Sequence, residues 1–76
     1  MVYTVSLQTE GSPALFHALK TEEANWERSR ISIQRKPSGV EVTFEAKDAT
    51  ALKASILSII QLLAVYEKMQ GVQHGG

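Results

Sequence analysis

Between Ala49 and Gln70 this chain carries more apolar surface than so short a protein can hide. Leu52, Ile56, Ile59, Leu63 and Tyr66 recur at spacings of 4, 3, 4 and 3, the pattern of a helix with one buried stripe. Leu57, Ile60 and Ala64 form a second stripe, turned from the first by roughly 100°. Leu62 widens the apolar arc on the other flank. A helix that is apolar over more than half its circumference meets another chain or remains a solubility liability. The 76 residues make one small domain, and domains of this size usually need a disulfide, a metal or a partner subunit as a staple. There is no cysteine, and His17 and His74 lie too far apart to form a metal cage. A partner chain is the expected staple.

Charge points the same way. Eight basic side chains balance eight acidic ones, which argues against a free-standing nucleic-acid binder and leaves little repulsion to oppose self-association. Met1-Val2-Tyr3-Thr4-Val5 has no basic run ahead of it, so no signal peptide is expected. The longest apolar-rich stretch, Ile56 to Val65, is about half of a bilayer span. These features predict a soluble, cytoplasmic protein with no membrane segment and no cofactor.

Period-two alternation predicts a first strand over Val2–Gln8, with Tyr3, Val5 and Leu7 inward. Ser12 before Pro13 reads as the cap of a helix reaching Thr21 or Glu22, with Leu15, Phe16, Ala18 and Leu19 on its buried side. A polar connector, Glu22 to Glu27, holds the one tryptophan. Arg28–Lys36 reads as a second strand, with Ile31 and Ile33 inward and Arg30, Ser32 and Gln34 outward. After the Pro37-Ser38-Gly39 turn, Val40–Ala46 alternates most clearly, burying Val40, Val42, Phe44 and Ala46. Asp48 caps the second helix and Gly71 stops it. Residues 1–70 form one α+β domain, and residues 71–76 form a flexible tail.

The order β-α-β-β-α predicts a three-stranded antiparallel sheet with both helices on one face and the third strand central. Arg28, Arg30, Arg35 and Lys36 guard the edge formed by the second strand, whereas the first strand has no charge. Tyr3, Thr4, Val5, Ser6 and Leu7 are therefore the expected pairing edge, extending the sheet into a dimer.

No catalytic constellation stands out. His17 reads as a helix-end histidine, Glu22-Glu23 as a solvated turn, and Lys36-Pro37-Ser38-Gly39 as a hairpin turn that lacks the glycines of a phosphate loop. Arg28, Arg30, Arg35 and Lys36, with Trp26 upstream, are candidate RNA contacts; the competing reading pairs them with Glu41 and Glu45 across strands. Gly75-Gly76 matches the end of ubiquitin-like modifiers, whose β-β-α-β-β order differs from the one read here.

The run Phe44-Glu45-Ala46-Lys47-Asp48-Ala49-Thr50-Ala51-Leu52-Lys53-Ala54-Ser55-Ile56-Leu57-Ser58 resembles the last strand, capping aspartate and second helix of the small CTAG/Pcc family. Ala18–Glu22 resembles the end of its first helix, and Arg28–Ile33 its second strand. The resemblance implies a non-catalytic dimerisation subunit of the KEOPS complex, an archaeal-type assembly that adds threonylcarbamoyl to an adenosine of tRNA. It further implies that two such subunits join through their sheets while their helices meet a catalytic subunit of ATPase fold. Carried onto this chain, Leu57, Ile60 and Ala64, with Phe16 or Leu15, would face that subunit, and tRNA would be met indirectly through the complex. Lys53, Leu57 and Gln61 stand where the family commonly has arginine, asparagine and a polar or basic residue. The outer helix face is thereby more apolar, which leaves open a homodimer or a heterodimer with a paralogous subunit.

Overall fold

The computed structural model describes residues 1–11 and 13–69. Its elements run β1 (Tyr3–Thr9), α1 (Pro13–Lys20), β2 (Ala24–Asn25), β3 (Ser29–Lys36), β4 (Gly39–Ala46) and α2 (Ala49–Met69). The strands form one antiparallel sheet in the order β1-β4-β3-β2, so the expected α+β class and the central place of Val40–Ala46 both hold. Among the described residues the sheet has four strands, not three. Ala24 and Asn25, inside the supposed connector, pair with Ile31 and Arg30, and the Trp26 N–H donates to the Ser29 carbonyl at 2.8 Å. Two residues are too few to display an alternation, so this strand left no periodic trace. The cap expected at Ser12 and the tail 71–76, with its Gly75-Gly76, lie outside the described residues.

Register carries the sequence pattern into a core. Val5 lies opposite Phe44, Phe44 opposite Ile31, and Leu7 opposite Val42, so the apolar residues of three strands share one face. Both helices pack on that face: Leu15 and Leu19 from α1 and Ile59 from α2 close over Ile31, Ile33, Val40, Val42 and Phe44. Leu52, Ile56, Leu62, Leu63 and Tyr66 flank this cluster, which makes the first stripe of α2 the sheet-facing one. Asp48 caps α2 as expected, its Oδ1 accepting the Ala51 N–H at 2.8 Å. Ser55 is buried among these apolar side chains, and its hydroxyl is satisfied by the Ala51 carbonyl at 3.0 Å. At Gly39 (φ 153°) a side chain would collide with the Thr9 carbonyl, so glycine permits the start of β4 to lie against the end of β1.

The coverage is uneven. α2 lies on β4 and β3, and α1 lies on β3. Tyr3 and Val5 point to the helix side yet remain 38% exposed, while Ala46 and Phe44 opposite them are buried. The side of the sheet that ends in β1 thus keeps part of its apolar face open.

Candidate partner-binding surfaces

Three surfaces carry the residues marked by sequence. The first is the β1 edge. Among the described residues β1 is terminal in the sheet, paired to β4 along Tyr3–Thr9, with no strand on its other side. No residue from Tyr3 to Thr9 is charged, so nothing in the strand repels a second strand laid beside it.

The second surface is the outer flank of α2. Leu57 and Ile60 are 44% and 45% exposed, and Ala64 is exposed with them. Ser58, about 100° round the helix from Leu57, is tied to Glu22 beyond the end of α1, its hydroxyl donating to the carboxylate at 3.1 Å. Leu57 and Ile60 are therefore turned away from α1. On α1, Phe16 is half-buried, with Lys20 and Arg35 over its ring at 5.9 and 6.0 Å. Leu15 corrects the reading that placed it on a partner-facing surface. It lies four residues before Leu19 on the same helical face, and both are buried in the core.

The apolar arc also changes the membrane arithmetic. Counted as the run Ile56–Val65, it falls short of a bilayer. Folded as Ala49–Met69, with an 18-residue window of mean hydropathy 1.6, the helix is long and apolar enough to cross one by length and composition. Leu52 and the alanines before the run, Ala49, Ala51 and Ala54, make the difference. Within the fold this helix lies on β4 and β3 with one face, and its other face is uncovered.

The third surface is the sheet face turned away from the helices. Arg30 meets Glu45 at 3.5 Å and Lys36 meets Glu41 at 3.5 Å, the cross-strand pairing that the sequence offered as the alternative to RNA contact. Arg28 pairs instead with Asp48, at 3.2 Å. Arg35 does not join this group: strand alternation puts it on the helix side, over Phe16. The Arg28 and Arg30 pairs are exposed, so each holds its cation weakly, whereas Glu41 in the Lys36 pair is partly covered. Trp26, 54% exposed, borders a shallow depression with Val2, Arg28, Arg30 and Lys47. Among the described residues no cluster of histidine, aspartate and glutamate is arranged to hold a metal.

Glu22 and Glu23 are not a freely solvated turn. While Glu22 binds Ser58, Glu23 accepts the Ile33 N–H at 3.1 Å and meets Lys20 Nζ at 2.8 Å. The Lys20 contact first, and the Ile33 N–H second, hold the Glu23 carboxyl below its usual range. Sequence reasoning missed this role because the acceptor and its strand are ten residues apart and joined by no pattern.

Residues 3–70 match the family model described as transcription factor Pcc1. The chain belongs to the Pcc1 family. The resemblance drawn from Phe44–Ser58 and the earlier segments is thus borne out, and this is the KEOPS subunit family. It is a family of non-catalytic subunits that work within a complex. Neither the comparison with curated proteins nor that with solved structures gave a significant match.

Proposed function

We propose that this Pcc1-family chain is a cytoplasmic, non-catalytic assembly subunit of the KEOPS complex, supporting threonylcarbamoyl modification of a tRNA adenosine by binding the catalytic subunit. It pairs with an identical chain, or with a paralogous one, along β1. It offers Leu57, Ile60 and Ala64, with Phe16, to the catalytic subunit of ATPase fold. The observation that supports this most is the coincidence of two unmet surfaces in one small domain: an uncharged free strand edge and an exposed apolar helix flank. Assembly needs both, and a self-contained domain needs neither.

Light scattering on the purified chain tests the pairing. The expected mass is that of two chains, and Thr4→Lys reduces it to one chain without loss of the circular dichroism of the fold. A concentration-independent single-chain mass for the unaltered protein defeats the pairing. Ile60→Asp is expected to keep the two-chain mass but to abolish co-purification of the catalytic subunit. Unfolding of that variant would place Ile60 in the core instead.

A second reading, direct RNA contact, is favoured by Arg30 and Lys36 on the sheet face that the helices leave open, and by exposed Trp26 bordering a depression with Arg28 and Arg30. Their acidic partners make it the weaker reading. Titration with tRNA over a range of salt separates the two, since phosphate contacts give a steep salt dependence and their absence a flat one.

A further inference from the structure

The sheet has a second edge, and the structure closes it. On β3, the residues whose backbone faces away from β4 are Ser29, Ile31, Ile33 and Arg35, as fixed by the Trp26 N–H on the Ser29 carbonyl and by Glu23 on the Ile33 N–H. The first two positions are taken by Trp26, which follows β2, on Ser29 and by Ala24 of β2 on Ile31. Directly after it in space, the Glu23 side chain takes the third, placing a carboxylate oxygen where the carbonyl of an added strand would sit. Lys20 fixes that carboxylate from α1. The fourth position belongs to Arg35, whose guanidinium lies over Phe16. A docking strand needs several consecutive backbone partners, and this edge offers no such run.

We propose that Glu23 is the residue that limits sheet extension to one edge, closing β3 against the β1 strand of a second copy of this chain. The inference rests on the reading that β1 is a pairing strand, and it adds why growth stops after one pairing. Two open edges on each chain would make a head-to-tail contact that never closes; one open edge makes a closed pair. A charge on the strand would repel a neighbour but leave the backbone groups free. The Glu23 carboxylate consumes the group itself.

The experiment uses the full chain as unaltered protein, as E23A, as E23Q, and as the double variant E23A/A24P, in which proline has no N–H to give to β3. Amide hydrogen exchange at Ile33 and sedimentation equilibrium over a hundredfold concentration range are the two readouts. E23A is expected to speed Ile33 exchange about tenfold, the factor set by a charge-assisted hydrogen bond. E23Q keeps an acceptor oxygen but loses the charge, and is expected to fall between E23A and the unaltered value. The mass of E23A/A24P is expected to climb past two chains as concentration rises. An unchanged Ile33 exchange rate in E23A overturns the proposal, and so does a double variant whose mass equals that of the unaltered chain. Should the double variant fail to fold, E23A decides alone at the highest concentration, where a mass that does not grow overturns it. If the unaltered chain runs as a single chain, the β1 pairing reading fails. The Glu23 inference then still stands if the double variant gains a two-chain mass, and falls if it does not.

Discussion

The two sides of the sheet differ in what is done with the same alternating pattern. On the β3–β4 side, Ile31, Ile33, Val42 and Phe44 are sealed beneath α1 and α2, and the outer edge of β3 is plugged by β2 and Glu23. On the β1 side, Tyr3 and Val5 have the same inward parity but no complete cover, and the edge carries no charge. One side is finished and the other is left partly open. Hydrophobic periodicity specifies which residues face inward, whereas the placement of two helices decides which of them are enclosed. Stability should accordingly concentrate in the finished side and association in the other.

The sharpest way to break this contrast is to hollow out the finished side. Phe44 is the largest of the fully buried side chains and lies on the central strand. Phe44→Ala is expected to cost about 3–5 kcal/mol, read from chemical denaturation. A much smaller cost would mean that the β3–β4 side is not where the fold is held. Next comes a pair of neighbours on α2. Ile59 is buried and Ile60 is 45% exposed, so Ile59→Ala should cost about 2–5 kcal/mol and Ile60→Ala within about 0.5 kcal/mol. Equal losses at the two positions would erase the distinction between the sheet-facing and the outward stripe. The helix start gives a smaller effect: Asp48→Ala removes the acceptor of the Ala51 N–H and should cost about 1 kcal/mol in thermal unfolding. Its pairing with exposed Arg28 adds little to that figure.

Much of this arrangement is legible without coordinates, for identifiable reasons. Period-two alternation in Val40–Ala46 and the 4-3-4-3 stripe on α2 are long-range repetitions, so they survive as patterns and give the central strand and the sheet-facing helix side. The first strand is legible as an edge from the element order, and as an unguarded one because no charge lies along its whole length. What escapes is everything that depends on a single meeting in space. β2 is two residues long, the Glu23 bond to Ile33 bridges a turn, and Arg35 is assigned to the wrong group unless its strand parity is weighed above its charge. Leu15 shows the reverse: helical spacing puts it on the buried face of Leu19, where it lies, and only the family resemblance turns it outward.

The smallest expected effect isolates the plugged edge from the bare one. Tyr3–Thr9 carries no carboxylate and no imidazole, so acid has nothing to titrate along β1, whereas β3 is closed by an ionised Glu23. The carboxyl of Glu23 is held below its usual range, foremost by Lys20 and then by the Ile33 N–H. A lowered folded-state value means that the unfolded chain takes up the proton first as pH falls. The contribution is therefore fully present above the ordinary glutamate value of about 4.3 and disappears as pH drops through the lower, folded value. Thermal midpoints of the unaltered chain and of Glu23→Gln should run parallel from pH 7 to pH 5, converge below about pH 4.3, and run parallel again in stronger acid. A gap that stays constant through that window, or widens in acid, would show that Glu23 does not hold the Ile33 edge as a carboxylate. The two edges of the sheet would then differ in side-chain charge alone.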